Sequence, residues 1–82
     1  QININQKFRT FPNPVKDVLH LEIDHSEEIE IRILDIYGKE IHQEKINRRS
    51  SIDLSAIKTG MYLLSVTKDK EVIYTTKIVK ED

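Results

Sequence analysis

The segments Val18-Leu19-His20-Leu21-Glu22-Ile23-Asp24 and Ile29-Glu30-Ile31-Arg32-Ile33, separated by the polar break Ser26-Glu27-Glu28, decide the fold. Both alternate apolar and polar residues with a period of two, the signature of half-buried strands. Leu19, Leu21 and Ile23 point one way, and His20, Glu22 and Asp24 the other. Ile29, Ile31 and Ile33 repeat the pattern with Glu30 and Arg32 between them. Branched side chains at the buried phase suit a pleated sheet better than a helix.

Outward from this pair, punctuation and alternation continue. Asp35-Ile36-Tyr37-Gly38-Lys39 has the composition of a turn, in which Asp bonds backbone two residues on and Gly takes a positive φ. The return strand Lys39–Ile46 carries Ile41 and Ile46 five apart, which breaks alternation and predicts a bulge near Gln43–Lys45. Asn47–Ser50 is expected to turn, Ser51–Leu54 to form a short strand with Ile52 and Leu54 inward, and Ser55–Thr59 to make a brief helical or 3₁₀ turn that seats Ile57. Gly60 opens a strand over Met61–Lys68 with Tyr62, Leu64 and Val66 on one face. Asp69-Lys70 closes a hairpin onto the last strand, Glu71–Lys80. There, Tyr74, Thr76 and Ile78 compete with Ile73, Thr75 and Val79 for the inner face, and the first set is favoured because it continues the face of Tyr62. Gln6–Thr10 is read as an edge strand with Phe8 inward. Phe11-Pro12-Asn13-Pro14 is excluded from a central strand, since proline has no N–H to give. About seven short strands with a turn every eight to twelve residues predict a β-sandwich.

Composition sets the scale. An 82-residue chain without cysteine makes one domain, with no disulfide framework and no Cys-based metal site. The core must come from Ile, Leu and Val, because Phe8, Phe11, Tyr37, Tyr62 and Tyr74 are the only aromatics. Residues 1–41 hold five basic and eight acidic side chains (−3), and residues 42–82 hold eight and six (+2). That asymmetry is too mild for a nucleic-acid interface, which needs a concentrated basic field. Residues 1–7 are expected to end a linker from an upstream domain, and residues 8–82 to form the sandwich. Because the chain begins with Gln1, it is expected to be a piece of a longer polypeptide.

Catalytic chemistry finds no support in the pattern. His20, His25 and His42 lie in separate segments without zinc-site spacing, and His20 and His42 occupy polar phases, so exposed positions are expected. Asp17, Asp24, Asp35, Asp53 and Asp69 are spread among different turns, without the alternating acids of a calcium loop, and turn capping is their expected role. Gly38-Lys39 lacks the glycine spacing of a phosphate loop. Ser50, Ser51 and Ser55 have no His/Asp context. No enzyme activity and no cofactor are expected of this domain.

Four segments in order carry a resemblance: Phe11-Pro12-Asn13-Pro14-Val15 leading into Leu19-His20-Leu21, Asp35-Ile36-Tyr37-Gly38-Lys39, Ile52-Asp53-Leu54-Ser55-Ala56-Ile57-Lys58-Thr59-Gly60-Met61-Tyr62, and Lys77-Ile78-Val79-Lys80 near the C-terminus. Together they closely resemble the C-terminal sorting domain (type A) of the Bacteroidetes type IX, or Por, secretion system, over residues ~8–80. Each motif alone is common among sandwiches; their order and register are the signal. The resemblance implies an immunoglobulin-like antiparallel β-sandwich that acts as a secretion tag, guiding an upstream cargo from the periplasm through the outer-membrane translocon. A shuttle protein and a sortase-like protease are the implied partners, with cleavage near or before Gln1 and delivery to the cell surface or medium. The implied recognition residues are Pro12, Asn13, Pro14, Asp35, Gly38, Lys39, Gly60, Tyr62, Lys77, Val79 and Lys80, the terminal strand mattering most. Glu81-Asp82 extends past the family pattern. If the terminal strand lies at a sheet edge, its unpaired backbone is expected to offer a pairing surface, to the export machinery or to a second copy by strand exchange.

Two other classes suit a small sandwich. A carbohydrate-binding or adhesive module needs a platform of outward rings, for which only Tyr37 and Tyr74 are candidates. A fibronectin-type spacer needs no site at all.

Overall fold

In the computed structural model, residues 8–23 and 28–82 are described. Strands β1 (Phe8–Phe11), β2 (Val18–Ile23), β3 (Ile29–Leu34), β4 (Glu40–Ile46), β5 (Arg49–Asp53), β6 (Gly60–Lys68) and β7 (Glu71–Lys80) form two antiparallel sheets. One has the order β1-β2-β5 and the other β4-β3-β6-β7, the sandwich that the alternation predicts. Leu19, Leu21 and Ile23 of the first sheet face Ile29, Ile31, Ile33, Leu64, Val66 and Ile78 of the second, all buried. Among the described residues the largest fully buried side chains are all Ile, Leu or Val, the core that the composition requires. Phe8 closes the β1–β7 side by stacking on Tyr74, with ring centroids 4.7 Å apart. Tyr74 is therefore half-buried, packed against the core and not standing on an open outer face. The linker residues, Asp24, His25 and the start of the predicted first strand (Gln6, Lys7) lie outside the described residues.

Two bulges relocate what alternation alone suggests. Ile33 pairs with His42 but Leu34 with Glu40, so Ile41 is the extra residue of β4; the bulge is there and not at Gln43–Lys45. Beyond it the phase reverses, and His42, Glu44 and Ile46 share the inner face with Ile33, Ile31 and Ile29. His42 is accordingly half-buried rather than on an outward polar phase. Its Nε2 lies 3.0 Å from Glu44 Oε1, and Ser50 Oγ donates to Glu44 Oε2 at 2.6 Å across the gap between the sheets. In β7, Val66 pairs with Tyr74 and Thr67 with Val72, which makes Ile73 the extra residue. Tyr74, Thr76 and Ile78 face inward as favoured, and the bulge buries Ile73 as well.

The β5–β6 connection is a single 3₁₀-type turn, the shorter of the two forms expected there. Ser55–Thr59 is not helical; it is a tight turn in which the Ile57 N–H donates to the Leu54 carbonyl at 3.2 Å. Asp53 Oδ1 accepts from the Ser55 N–H at 2.9 Å, an Asx-type bond that fixes the start of the turn. Ile57 still packs against the core. Strand β5 begins at Arg49, two residues earlier than expected.

Candidate functional site

The segments that carry the resemblance lie far apart in sequence and meet at one end of the β6–β7 hairpin. Asn13 sits on the exposed loop after β1, between Pro12 and Pro14, each preceded by a cis peptide bond. Its side chain takes the place of a neighbouring strand: Nδ2 donates to the Lys77 carbonyl at 2.9 Å, and Oδ1 accepts from the Val79 N–H at 3.0 Å. Two residues on, the Val15 N–H donates to the Val79 carbonyl at 2.8 Å and the Val15 carbonyl accepts from the Glu81 N–H at 2.9 Å, a parallel bridge. The Lys77 carbonyl, both backbone groups of Val79 and the Glu81 N–H, which could otherwise receive a partner strand, are thus already bound. Val15 is fully buried, so the clasp is anchored in the core.

The Asp35–Lys39 turn caps the adjacent end of β3. Asp35 Oδ1 accepts from the N–H groups of Tyr37 and Lys39, both at 2.9 Å, and the Lys39 carbonyl accepts from the Asp35 N–H. Gly38 holds φ +84°, a conformation that a side chain resists. Gly60 has φ +146° where β6 begins, and Tyr62 returns its hydroxyl to the Lys58 carbonyl at 2.6 Å. A tyrosine near a strand start that bonds backwards in this way is the tyrosine corner of immunoglobulin-like sandwiches, a device that fixes the loop. Asp35, Gly38, Gly60 and Tyr62 therefore shape the corner from within.

Lys77 and Lys80, expected to act together, point to opposite faces because they lie three apart on a strand of period two. Lys80 pairs with Gly60, faces inward and is 5% exposed, its ammonium 3.3 Å from the Glu81 carbonyl. Lys77 pairs with Leu63 on the outer face and is exposed.

Beside Lys77, the outer face holds residues that the sequence motifs do not single out. Leu34, Leu63 and Lys77 form one row across the sheet, with Met61 opposite Val79 in the next. Leu34, Ile36, Met61, Leu63 and Lys77, with the Asp35–Gly38 turn, line an open groove of about 380 Å³. Ile36 is 69% exposed, Met61 51%, and Leu63 40%. The signal was present in β6, whose outward phase runs Met61, Leu63, Ser65, Thr67 and switches from apolar to polar half-way along. The described residues contain no group of three or more His, Cys, Asp or Glu placed to hold a metal ion. His20 lies on the outer face of the other sheet, its Nδ1 3.0 Å from Ser51 Oγ and its ring 5.3 Å from Phe11.

A small immunoglobulin-like sandwich, closed at one corner by its own N-terminal segment and carrying an apolar groove there, is a recognition module in architecture. The chain belongs to the secretion system C-terminal sorting domain family, which it matches over residues 9–81. It is thus a sorting signal of the type IX system, a family whose role is export to the cell surface or beyond and not catalysis. It is also similar to an ulvan lyase, NLR42, of Nonlabens ulvanivorans, at 30% identity over 71 residues. That alignment covers 84% of this chain and 13% of the lyase, so the chain spans a small fraction of that relative's length.

Proposed function

We propose that this domain carries a cargo, attached upstream in the same polypeptide, through the periplasm to the outer-membrane translocon of the type IX system. A shuttle protein receives it there, and a sortase-like protease removes it in the linker before the sandwich, leaving the cargo at the surface or free. The observation that supports this is the convergence of Asn13, Asp35–Lys39, Gly60–Tyr62 and Lys77–Lys80 on one corner, although the first and last are more than sixty residues apart. Within it, Asn13, Pro12, Pro14, Asp35, Gly38, Gly60, Tyr62, Val79 and Lys80 hold the shape. Lys77 and Lys39, exposed on the strand and the turn, are the motif side chains offered to the machinery.

The proposal is tested with a reporter enzyme fused ahead of the chain and exported in a type IX-competent cell. Deleting residues 77–82 should leave the reporter in the periplasm. Unchanged delivery to the surface or medium would overturn the proposal.

A further inference from the structure

We infer that the groove lined by Leu34, Ile36, Met61, Leu63 and Lys77 is a docking surface for a protein partner that inserts an apolar side chain and sets a carboxylate beside it. The inference rests on the sorting function proposed above and names the chemistry that would read the tag.

The outer face of the β4-β3-β6-β7 sheet is divided along its strands. Towards the β6–β7 turn it is polar and internally paired: Gln43 hydrogen-bonds Glu30, and Arg32 bridges Glu30 to Glu40, which lies further along the sheet, opposite Leu34. At the opposite end the outward positions are Leu34, Met61, Leu63 and Val79, with Glu40 and Lys77 at the two ends of the Leu34–Leu63 row and Ile36 on the adjoining turn. Scattered apolar residues on a surface need no explanation, but contiguous ones gathered in a concavity do. None of them is required by the fold, whose core is the other face of the same strands.

Charge selects among occupants. Lys77 lines the groove and has no ion pair among the described residues, and the nearby Asp35 carboxylate is occupied by two turn N–H groups. The groove is therefore apolar with an unanswered cation at its rim. A second copy docked groove to groove by twofold symmetry would set one concavity against another and fill neither. A bilayer would meet Lys77 with headgroup phosphate, but a flat surface fills no concavity. A protein knob with an adjacent Asp or Glu satisfies both features.

The test uses the intact cargo–tag fusion in its exporting cell. Met61→Glu and Leu63→Glu place a carboxylate in the groove at exposed, outward positions, and Lys77→Glu reverses the rim charge. Val72→Glu, equally outward and 57% exposed at the polar end of the same sheet, is the control. Thermal unfolding of each purified domain verifies folding. Export should fall roughly tenfold or more for the three groove variants, stay within about twofold for Val72→Glu, and be retained by Lys77→Arg. A photo-crosslinker at position 63 should give an adduct with an outer-membrane protein of the secretion machinery, at a site flanked by an acidic residue. Normal export of all three groove variants, in a system where deleting residues 77–82 blocks it, would overturn the docking surface and leave the sorting function standing. An equal loss for Val72→Glu, or a crosslink to lipid or to a second copy, would also overturn it. Export that survives the deletion itself would refute the sorting function instead.

Discussion

Replacing Asn13 by Ala removes the side chain that stands in for a strand at the edge of β7. Two hydrogen bonds go, one to the Lys77 carbonyl and one from the Val79 N–H. A neutral hydrogen bond contributes about 0.5–1.5 kcal/mol net. Both groups lie at an exposed edge where water replaces part of what is lost, so the expected cost is about 1–2 kcal/mol, not the larger penalty of a buried orphan. For a domain of this size about 1 kcal/mol lowers Tm by roughly 4–8 °C, which places the expected drop near 4–16 °C. Calorimetry gives the Tm, and amide hydrogen exchange localises the effect. The Val79 amide should lose protection beyond the global loss, and the Glu81 amide, held by Val15, should follow as the bridge loosens. Asn13→Asp sharpens the experiment. It keeps an acceptor for the Val79 N–H but replaces the donor with a carboxylate facing the Lys77 carbonyl. Stability should fall at least as far, while Val79 stays protected. A Tm within about 1 °C of the parent with unchanged Val79 exchange would show that the clasp contributes nothing, and would refute the reasoning.

Other perturbations have equally definite expectations. Gly38→Ala meets no atom within 4 Å of the added Cβ, so its cost is the positive φ alone, about 1–2 kcal/mol by chemical denaturation; Gly38→Asn should cost less. Asp69 and Lys70 hold φ of 51° and 68° in the β6–β7 hairpin, so Lys70→Gly should stabilise the domain by about 1 kcal/mol, read as a higher denaturation midpoint. The Ser50 hydroxyl, and secondarily His42, hold the Glu44 carboxyl below its ordinary value of 4.5, against the opposing effect of burial. Because the folded value is the lower one, the unfolded chain binds more protons between the two. The stabilisation is therefore complete above 4.5 and is lost as pH falls through the folded value. Ser50→Ala should shift that loss to higher pH, visible in urea midpoints measured from neutral pH down to about 3.

Local pattern made the sheets legible. Leu19, Leu21 and Ile23, and then Ile29, Ile31 and Ile33, are buried as alternation requires, and Asp35–Lys39 turns with the hydrogen bonds its composition implies. What escaped was whatever a single extra residue can hide. The five-residue spacing of Ile41 and Ile46 announces a bulge without saying where it lies. An apolar residue at the bulge, Ile41 or Ile73, lets two successive side chains reach the core and blurs the phase on both sides. The reversed phase beyond Ile41 is what brings Glu44 and His42 to Ser50, a cluster no periodic reading could find. The groove was half visible. Met61 and Leu63 break the expected polar outward phase of β6, but only the pairing with Leu34 and Lys77 shows that they form one surface.

The clasp changes what truncation at either end means. Asn13 and Val15 contact β7 across sequence separations of 64 to 66 residues, and they bind the Lys77 carbonyl, both backbone groups of Val79 and the Glu81 N–H. Removing residues 77–82 therefore also strips Asn13 and Val15 of their partners. Disturbing Asn13–Pro14 likewise bares the edge that the terminal strand would otherwise keep covered. The two ends are one structural unit, so their effects on stability should not add: once Asn13 is gone, a further change that disrupts the Val79 backbone pairing has less left to lose. The same geometry separates the roles of the two terminal lysines. Lys80 is inside and serves the hairpin; Lys77 is outside, on the row shared with Leu63, where charge can be sensed. A loss of export after deletion of the strand is consequently ambiguous between shape and contact, whereas Lys77→Glu leaves Asn13, Val15 and Lys80 in place and isolates the contact.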